Sequence, residues 1–509
     1  MNAIEQADAF LAVADQFKLG ELPTEQPHLL TQDLSKQALQ DLPAAFGALK
    51  QVDLMAIRRL RGYAPGIMQL ADAIGKTIDE DGRIFIAGCG ATGRLALTIE
   101  TLSRRAALGD ELKERVIGFM AGGDAALIRS LEGFEDYPEY GARQLLELGY
   151  TAKDLLIGVT EGGETSFVIG ATEAAVVDGG RSPWFCYCNP DELLYKAAAR
   201  SEAVIENNNI EKLNLNVGPM ALAGSTRMQA TTVQMVAVAL ALRYYDRSGF
   251  IAAELEKLTT MAESLNYEVM IPFTEYEARH YRDGGHVLYH TDIFGMTVLT
   301  DTTERAPTFS LPPFENFQAP GQPASLCYLS LEVYEDAASA WDGLLERSPR
   351  TLEWDGVTDV AGYGYFLGFD ISSKAKSIRE QRLQKQADIF SIERIGAGIS
   401  MALGPCHTTI ETVDDEFWKN IILKLLLNAH STLIMGRLER YEGNLMTWVK
   451  PSNNKLIDRA IRYICRLFEQ RHDTQLDYRK VCYKLFDIRE TLKPDEPIVL
   501  RTLDALENQ

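Results

Sequence analysis

Short apolar runs, set between loops and stretches of helical period, dominate the first half of the chain. They are Arg83-Ile84-Phe85-Ile86-Ala87, Val116-Ile117-Gly118-Phe119-Met120, Leu155-Leu156-Ile157-Gly158-Val159 and Trp184-Phe185-Cys186-Tyr187-Cys188. Each is too short for a helix and too continuously apolar for a half-exposed strand, so each predicts a strand covered on both faces. Helical periods lie between them, at Arg94 to Arg105, Ala142 to Leu148 and Phe167 to Val177. Strands alternating with helices predict a parallel sheet flanked by helices, an α/β fold. A long apolar helix, Thr231 to Tyr244, closes this unit.

The pattern then repeats. Residues 246–284 are charged and helix-prone, and His286-Val287-Leu288-Tyr289-His290 opens a second strand–turn–helix series that ends in another apolar helix, Trp418 to Arg437. His286 and His290 read as strand residues, not as ligands. The resulting division is an arm at 1–48 packed on the first unit, a first α/β unit at 49–245, a helical connector at 246–284, a second unit at 285–435 and a helical region at 436–509.

Composition agrees with cores of this kind: of 509 residues, 46% are hydrophobic and 24% charged. A formal net charge of −21 repels phosphate backbones and anionic lipid, which makes nucleic acid and membranes poor partners. An anionic small molecule must therefore be held by a local device. Neither a leader-like segment nor an apolar run of spanning length is present, so a cytoplasmic protein is expected. The seven cysteines include no C-x-x-C pair, which predicts reduced thiols and no metal.

The candidate device is Gly88-Cys89-Gly90-Ala91-Thr92-Gly93, a G-x-G-x-x-G loop between a strand and a helix. Glycines let the backbone turn its N–H groups onto an anion, and the helix N-terminus adds partial positive charge. A dinucleotide site is the rival, since Asp124 follows Ala121-Gly122-Gly123 where an acidic residue would take the ribose. A ligand-free tight turn is the third reading. Thr92 inside the loop, Arg94 after it, and a second hydroxyl-bearing turn at Gly224-Ser225-Thr226-Arg227 favour a sugar phosphate bound without a cofactor.

Gly90-Ala91-Thr92-Gly93-Arg94-Leu95 resembles the G-T-S-G-R-L loop of N-acetylmuramic acid 6-phosphate etherases and of their two-domain relative, the glucokinase regulatory protein. Ala121-Gly122-Gly123-Asp124, Glu132-Gly133-Phe134-Glu135-Asp136, Cys188-Asn189-Pro190 and Gly224-Ser225-Thr226-Arg227-Met228 continue the likeness in order. Thr24-Glu25 and Leu34-Ser35 are similar to the etherases' opening segment. In the second unit, Asp301-Thr302-Thr303-Glu304-Arg305-Ala306-Pro307-Thr308-Phe309 is similar to D-A-S-E-C-P-P-T-[FY], and Gly443-Asn444-Leu445-Met446 precedes Lys455-Leu456 at the family's spacing.

The resemblance implies two tandem sugar-isomerase (SIS) domains, flavodoxin-like, fused as an internal pseudo-dimer that makes a monomer plausible, with a helical C-terminal region. It also implies a composite site. Gly90, Ala91, Thr92, Gly93, Arg94, Thr160, Gly162, Ser225, Thr226 and Lys455 would contact the sugar phosphate. Glu132, and Glu304 lent from the second half, would be the catalytic carboxyls. Each half departs from the etherase pattern. Leu102 stands at the first half's catalytic-glutamate position, and Asp292-Ile293-Phe294-Gly295-Met296 replaces the second half's phosphate loop. Thr160-Glu161-Gly162-Gly163-Glu164-Thr165-Ser166 replaces A-A-S-G-R-T-P: a serine becomes Gly162 and an arginine becomes Glu164, which with Glu161 sets two carboxylates beside a phosphate, and Thr160 would replace the lost hydroxyl. The implied function is a sugar 6-phosphate sensor. An etherase-like lyase or an isomerase stands as the alternative, and a nicotinamide enzyme as the weaker one. The likeness to a kinase regulator does not by itself identify a sugar kinase as a partner.

Overall fold

Parallel strands β1 (Ile84–Gly88), β2 (Val116–Met120), β3 (Leu155–Val159), β4 (Trp184–Tyr187) and β5 (Glu211–Asn214) form the first sheet, in the order β2-β1-β3-β4-β5. The coordinates are a computed structural model describing residues 2–17, 19–177, 179–319 and 321–508; the side chains of Gln16 and Glu132 lie outside that description. Every residue of β1 to β4 is buried, as their unbroken apolar runs require. Strand β5, Glu-Lys-Leu-Asn, buries only Leu213, and its polar sequence gave no sign of a strand. The helix Ala91–Arg104 packs on β1 and β2, coming so close that a Cβ on Gly93 would lie 2.5 Å from that of Met120. A side chain there would push the helix off the sheet.

The order 2-1-3-4-5 has its topological switch between β1 and β3, where a doubly wound sheet opens a crevice at the carboxyl ends of its strands. The loops after β1 and β3 carry the glycine turn and the 160–166 turn. The topology thus brings two sequence-distant candidate segments to one place.

The second sheet runs β10-β9-β8-β6-β7 and is mixed, not parallel throughout. Strand β6 (Val287–Thr291) pairs in parallel with β7 (Cys327–Ser330) and β8 (Asp388–Ile395), while β8, β9 (Gly398–Leu403) and β10 (Cys406–Ile410) form an antiparallel meander. The turns explain this difference from the expected plan. Ile395 pairs with Gly398 and Leu403 with Cys406, leaving two-residue links that begin at Gly396 and Gly404, both at φ +54°. Such links reverse the chain into a hairpin and leave no room for a crossover helix.

Helix Leu42–Leu60 runs through the expected boundary at residue 48 because its apolar period is continuous across it. The arm's first helix, Ala3–Val13, packs on the C-terminal helix Tyr478–Thr491, with Phe10 against Phe486, while further along the arm the Thr24 N–H donates to Asn189 Oδ1 and the Thr31 hydroxyl to the Ala221 carbonyl of the first unit. Nearly all of Glu416–Arg437 is buried, and each fully covered leucine, such as Leu423, Leu426 and Leu433, contributes about 1.5–3 kcal/mol. Among the described residues, no helix is long and apolar enough to cross a membrane.

Buried ion pairs join the halves. Arg227 meets Asp301 at 3.2 Å and donates to Ser431 and Thr432 of the closing helix. Arg347 and Arg350, which precede a short helical segment of the second half, reach back to Glu100 and Asp124.

The two ends of the chain also meet. Glu25 is buried and pairs with Arg459 at 2.6 Å and Arg462 at 3.1 Å. Burial pushes its carboxyl up, but the two guanidiniums outweigh burial and hold it near about 2, below the ordinary 4.5. A depressed carboxyl contributes stability that is complete above pH 4.5 and drains away as pH falls toward 2. The stake is on the order of 3 kcal/mol. Melting temperature measured from pH 6 to pH 2 should fall less steeply in Glu25→Gln, which starts from a lower plateau.

Candidate functional site

The first glycine turn is built as its residues require. Gly90 has φ +56° and stands as N-cap of helix Ala91–Arg104; a Cβ there would meet nothing within 4 Å, so the position needs glycine for its backbone angle and faces open space. Thr92 is buried, and its hydroxyl accepts from the Cys89 N–H at 3.0 Å and donates to the Cys89 carbonyl at 2.9 Å, closing the turn on itself. Arg94 is fully buried. Its guanidinium donates to Thr303 Oγ1 at 3.2 Å and to the Leu127 carbonyl at 3.0 Å, and lies 2.7 Å from Glu304 Oε1. The residue after the loop therefore ties the first half to helix Gly295–Phe309 of the second, and Glu304 comes within one side chain of the glycine turn.

In the second turn, the Thr160 hydroxyl pairs with that of Thr165 at 3.0 Å and accepts from the Gly163 N–H at 3.2 Å. Glu164 is buried, with Oε1 at 2.6 Å from Lys455 Nζ. Burial pushes its carboxyl up, and Lys455 followed by Arg200 reverses the shift and leaves it lowered. A Cβ on Gly162 would lie 1.8 Å from Glu164 Oε2. The two departures at 162 and 164 thus form one structural change, the glycine making the space that the carboxylate fills. Lys455 also lies 3.5 Å from Glu135. Its burial disfavours the ammonium, but Glu164, Glu135 and Glu25 outweigh that and raise it.

At the third turn, the buried Ser225 Oγ has no hydrogen-bond partner among the described residues, and the Thr226 carbonyl accepts from the Thr231 N–H and hydroxyl. Gly224 is pressed against Arg459, whose Nε would stand 2.7 Å from a Cβ there. A small, open cleft is lined by Glu135, Glu164, Ser166, Arg200 and Lys455, at the N-terminus of helix Ser166–Ala174; residues 90–94 and Ser225 do not line it. The glycine turn borders the same charges, since burial and Glu135 push the Cys89 thiol well up, with Glu161 adding to the shift. Cys89 accordingly offers no thiolate. The backbone of Glu132 opens a 3-10 turn, Glu132–Phe134, and its side chain is among those not described.

Two features escape sequence reasoning. Glu161 is buried with its carboxylate accepting the Thr231 hydroxyl at 2.8 Å. The other is the occupant of Asp124. Arg347 lies 2.6 Å from it, the Arg350 N–H donates to it at 2.7 Å, and a Cβ on Gly123 would meet the Arg350 carbonyl at 2.9 Å. The carboxylate that the dinucleotide reading needs for a ribose is thus covered by the chain's own second half, which removes that reading's anchor. Only the long-range docking of 347–352 reveals it. Among the described residues, no group of three or more His, Cys, Asp or Glu is placed to hold a metal.

The family model of the glucokinase regulatory protein N-terminal SIS domain matches residues 66–176. The N-acetylmuramic acid 6-phosphate etherase of Picosynechococcus sp. is 33% identical over 220 residues, covering 43% of this chain and 67% of the etherase. The chain belongs to the SIS family, among the relatives of these etherases. The etherase of Gloeobacter violaceus is 32% identical over 212 residues, and the SIS chain spans 65% of its length, just under two thirds. The C-terminal domain of glucosamine-fructose-6-phosphate aminotransferase from Francisella tularensis, a solved structure, is 9% identical with a TM-score of 0.38, covering 76% of the SIS chain and 96% of that domain.

Proposed function

We propose that this SIS protein binds a hexose or amino-sugar 6-phosphate, as a sensor of the glucokinase-regulator kind, in a composite site made by both halves. The supporting observation is the Arg94–Glu304 pair. It draws a carboxylate of the second half up to an anion-type glycine turn at the switch point of the first sheet. The glycine turn and the N-terminus of helix Ser166–Ala174 would hold the ester, with the free hydroxyl of Ser225 as a donor still without a partner. Lys455 would reach the ester by loosening from Glu164. Pairing within one chain supports a monomer. An etherase-like lyase or an isomerase is the second reading, and the carboxyls of Glu161 and Glu304 beside the turn favour it.

Glucose, fructose, glucosamine and N-acetylmuramic acid 6-phosphates should raise the melting temperature, while NAD, NADP and ATP should not. At a concentration one hundred times the dissociation constant the gain is about 2.7 kcal/mol. Ser225→Ala should leave the ligand-free melting temperature intact, since its hydroxyl has no partner among the described residues, and should shrink the ligand shift. Stabilisation by a dinucleotide, with none by any sugar phosphate, would overturn the reading.

A further inference from the structure

The charges of the cleft do not suit a phosphate ester alone. Among its described lining residues, Glu135, Asp136 and Glu164 stand against Arg200 and Lys455, three acids to two bases. The Arg200 guanidinium donates to the Glu164 backbone carbonyl, and Lys455 Nζ is shared between Glu164 at 2.6 Å and Glu135 at 3.5 Å. Burial and then Glu135 push the Asp136 carboxyl up, over the pull of Arg200 and Lys455. Glu164 is the buried member of the three, with its side chain 3% exposed. Its Oε1 takes the lysine, while its Oε2 has no hydrogen-bond partner among the described residues. A buried carboxylate oxygen without a donor is an open place for one. An ester that draws Lys455 away exchanges one ion pair for another and strands Glu164 without a cation, which is strongly unfavourable. A ligand that carries an ammonium besides the ester avoids this: the ester takes Lys455 and the ammonium takes Glu164. An ammonium brings three donors and a compensating charge, where a hydroxyl brings one donor and no charge.

We propose that Glu164 is a specificity-determining residue, selecting a hexose 6-phosphate with a free, protonated amine over one with a hydroxyl or an acetylated amine in its place. No covalent bond changes. The Lys455–Glu164 pair is exchanged for two pairs, both to one zwitterionic ligand. The inference rests on the sugar-phosphate reading above and narrows it to one class of ligand.

The test is calorimetric titration of the full chain with glucosamine 6-phosphate, glucose 6-phosphate and N-acetylglucosamine 6-phosphate, at about pH 6.5, where an aliphatic amine is protonated. Glucosamine 6-phosphate should bind about 10–100-fold more tightly than the other two, the worth of one hydrogen bond to a charged group. Glu164→Gln keeps the shape beside Gly162 and removes the charge. It should weaken glucosamine 6-phosphate and tighten glucose 6-phosphate, because Lys455 is then released for the ester. General damage to the pocket would not move the two ligands in opposite directions. Equal affinities in the wild type overturn the assignment and leave the binding reading standing. So does a variant that keeps its ligand-free melting temperature and loses both ligands in the same proportion. The wild-type ranking decides by itself if the variant does not fold. If none of the three ligands binds, the sugar-phosphate reading falls and takes this inference with it.

Discussion

Arg94→Met should cost the folded chain about 3–5 kcal/mol, read as a lower urea midpoint, and should separate the unfolding of the two halves. The guanidinium is wholly buried and meets Glu304, Thr303 and two backbone carbonyls. Methionine fills much of the volume but leaves Glu304 without its cation, so most of the loss is the cost of a stranded charge and not the worth of the pair. Adding Glu304→Gln should therefore recover part of the stability, with a coupling energy in the range of about 0.5–3 kcal/mol for residues in contact. If the two single losses simply add, the pair does not clasp the halves. The arginine has a second consequence for the site. Without it, Glu304 loses the group that fixes it beside the glycine turn, and any response to sugar phosphate should weaken along with stability.

Arg305→Met should be comparably damaging, by about 3–5 kcal/mol at neutral pH, and its loss should depend on pH. Arg305 is buried and bridges Glu277 at 2.8 Å, Asp301 at 2.9 Å and the Tyr289 hydroxyl at 2.8 Å. Glu277 is fully buried and also holds His430 at 2.9 Å. Burial pushes its carboxyl up, but Arg305 and His430 hold it near about 2. Removing the guanidinium takes away the largest influence that opposes burial and leaves His430 and Tyr281, so the folded-state value should rise past the ordinary 4.5. A carboxyl raised in the folded state favours folding when protonated, so stability of the variant should improve on acidification from pH 7 to pH 5, where the wild type gains nothing from this group. Arg305→Lys should rescue little, because a single ammonium does not reproduce a planar fork between two acids. Urea midpoints at pH 5 and pH 7 decide the matter; equal losses at both would mean that the cost is packing alone.

Most of the first sheet could be read from the sequence because β1 to β4 are buried along their whole length, and burial on both faces leaves an unbroken apolar run. Strand β5 and the meander β8–β10 were hidden for the opposite reason. Glu211-Lys212-Leu213-Asn214 buries one residue in four, and β10 alternates half-buried with exposed positions at a sheet edge. A direct hairpin signal was present at Gly404-Pro405, between two runs of alternating character, and it outweighs the expectation of another parallel unit. In the site, the glycine turn announces itself because its backbone angles demand particular residues. Glu304 was reached through the motif around it. Glu161 and Glu164 looked like a defect beside an anion, and chain order gives no means of pairing Glu164 with Lys455, 291 residues away. Nor does it show that Arg347 covers Asp124 across 223 residues. Those contacts depend on how the two halves dock, and local pattern carries no information about docking.

The meeting of Glu25 with Arg459 has a consequence for how the molecule is made. The two residues are 434 positions apart, and Lys455 enters the pocket from the same late helix. At a synthesis rate of 5–20 residues per second, the nascent chain waits roughly 20–90 s between emergence of the acid and arrival of its arginines. For the later part of that interval, once Asn214 has followed, the first sheet is outside the ribosome with one wall of its crevice missing. Newly made protein should become able to hold a ligand only once helix Asn454–His472 has emerged, as a single late event.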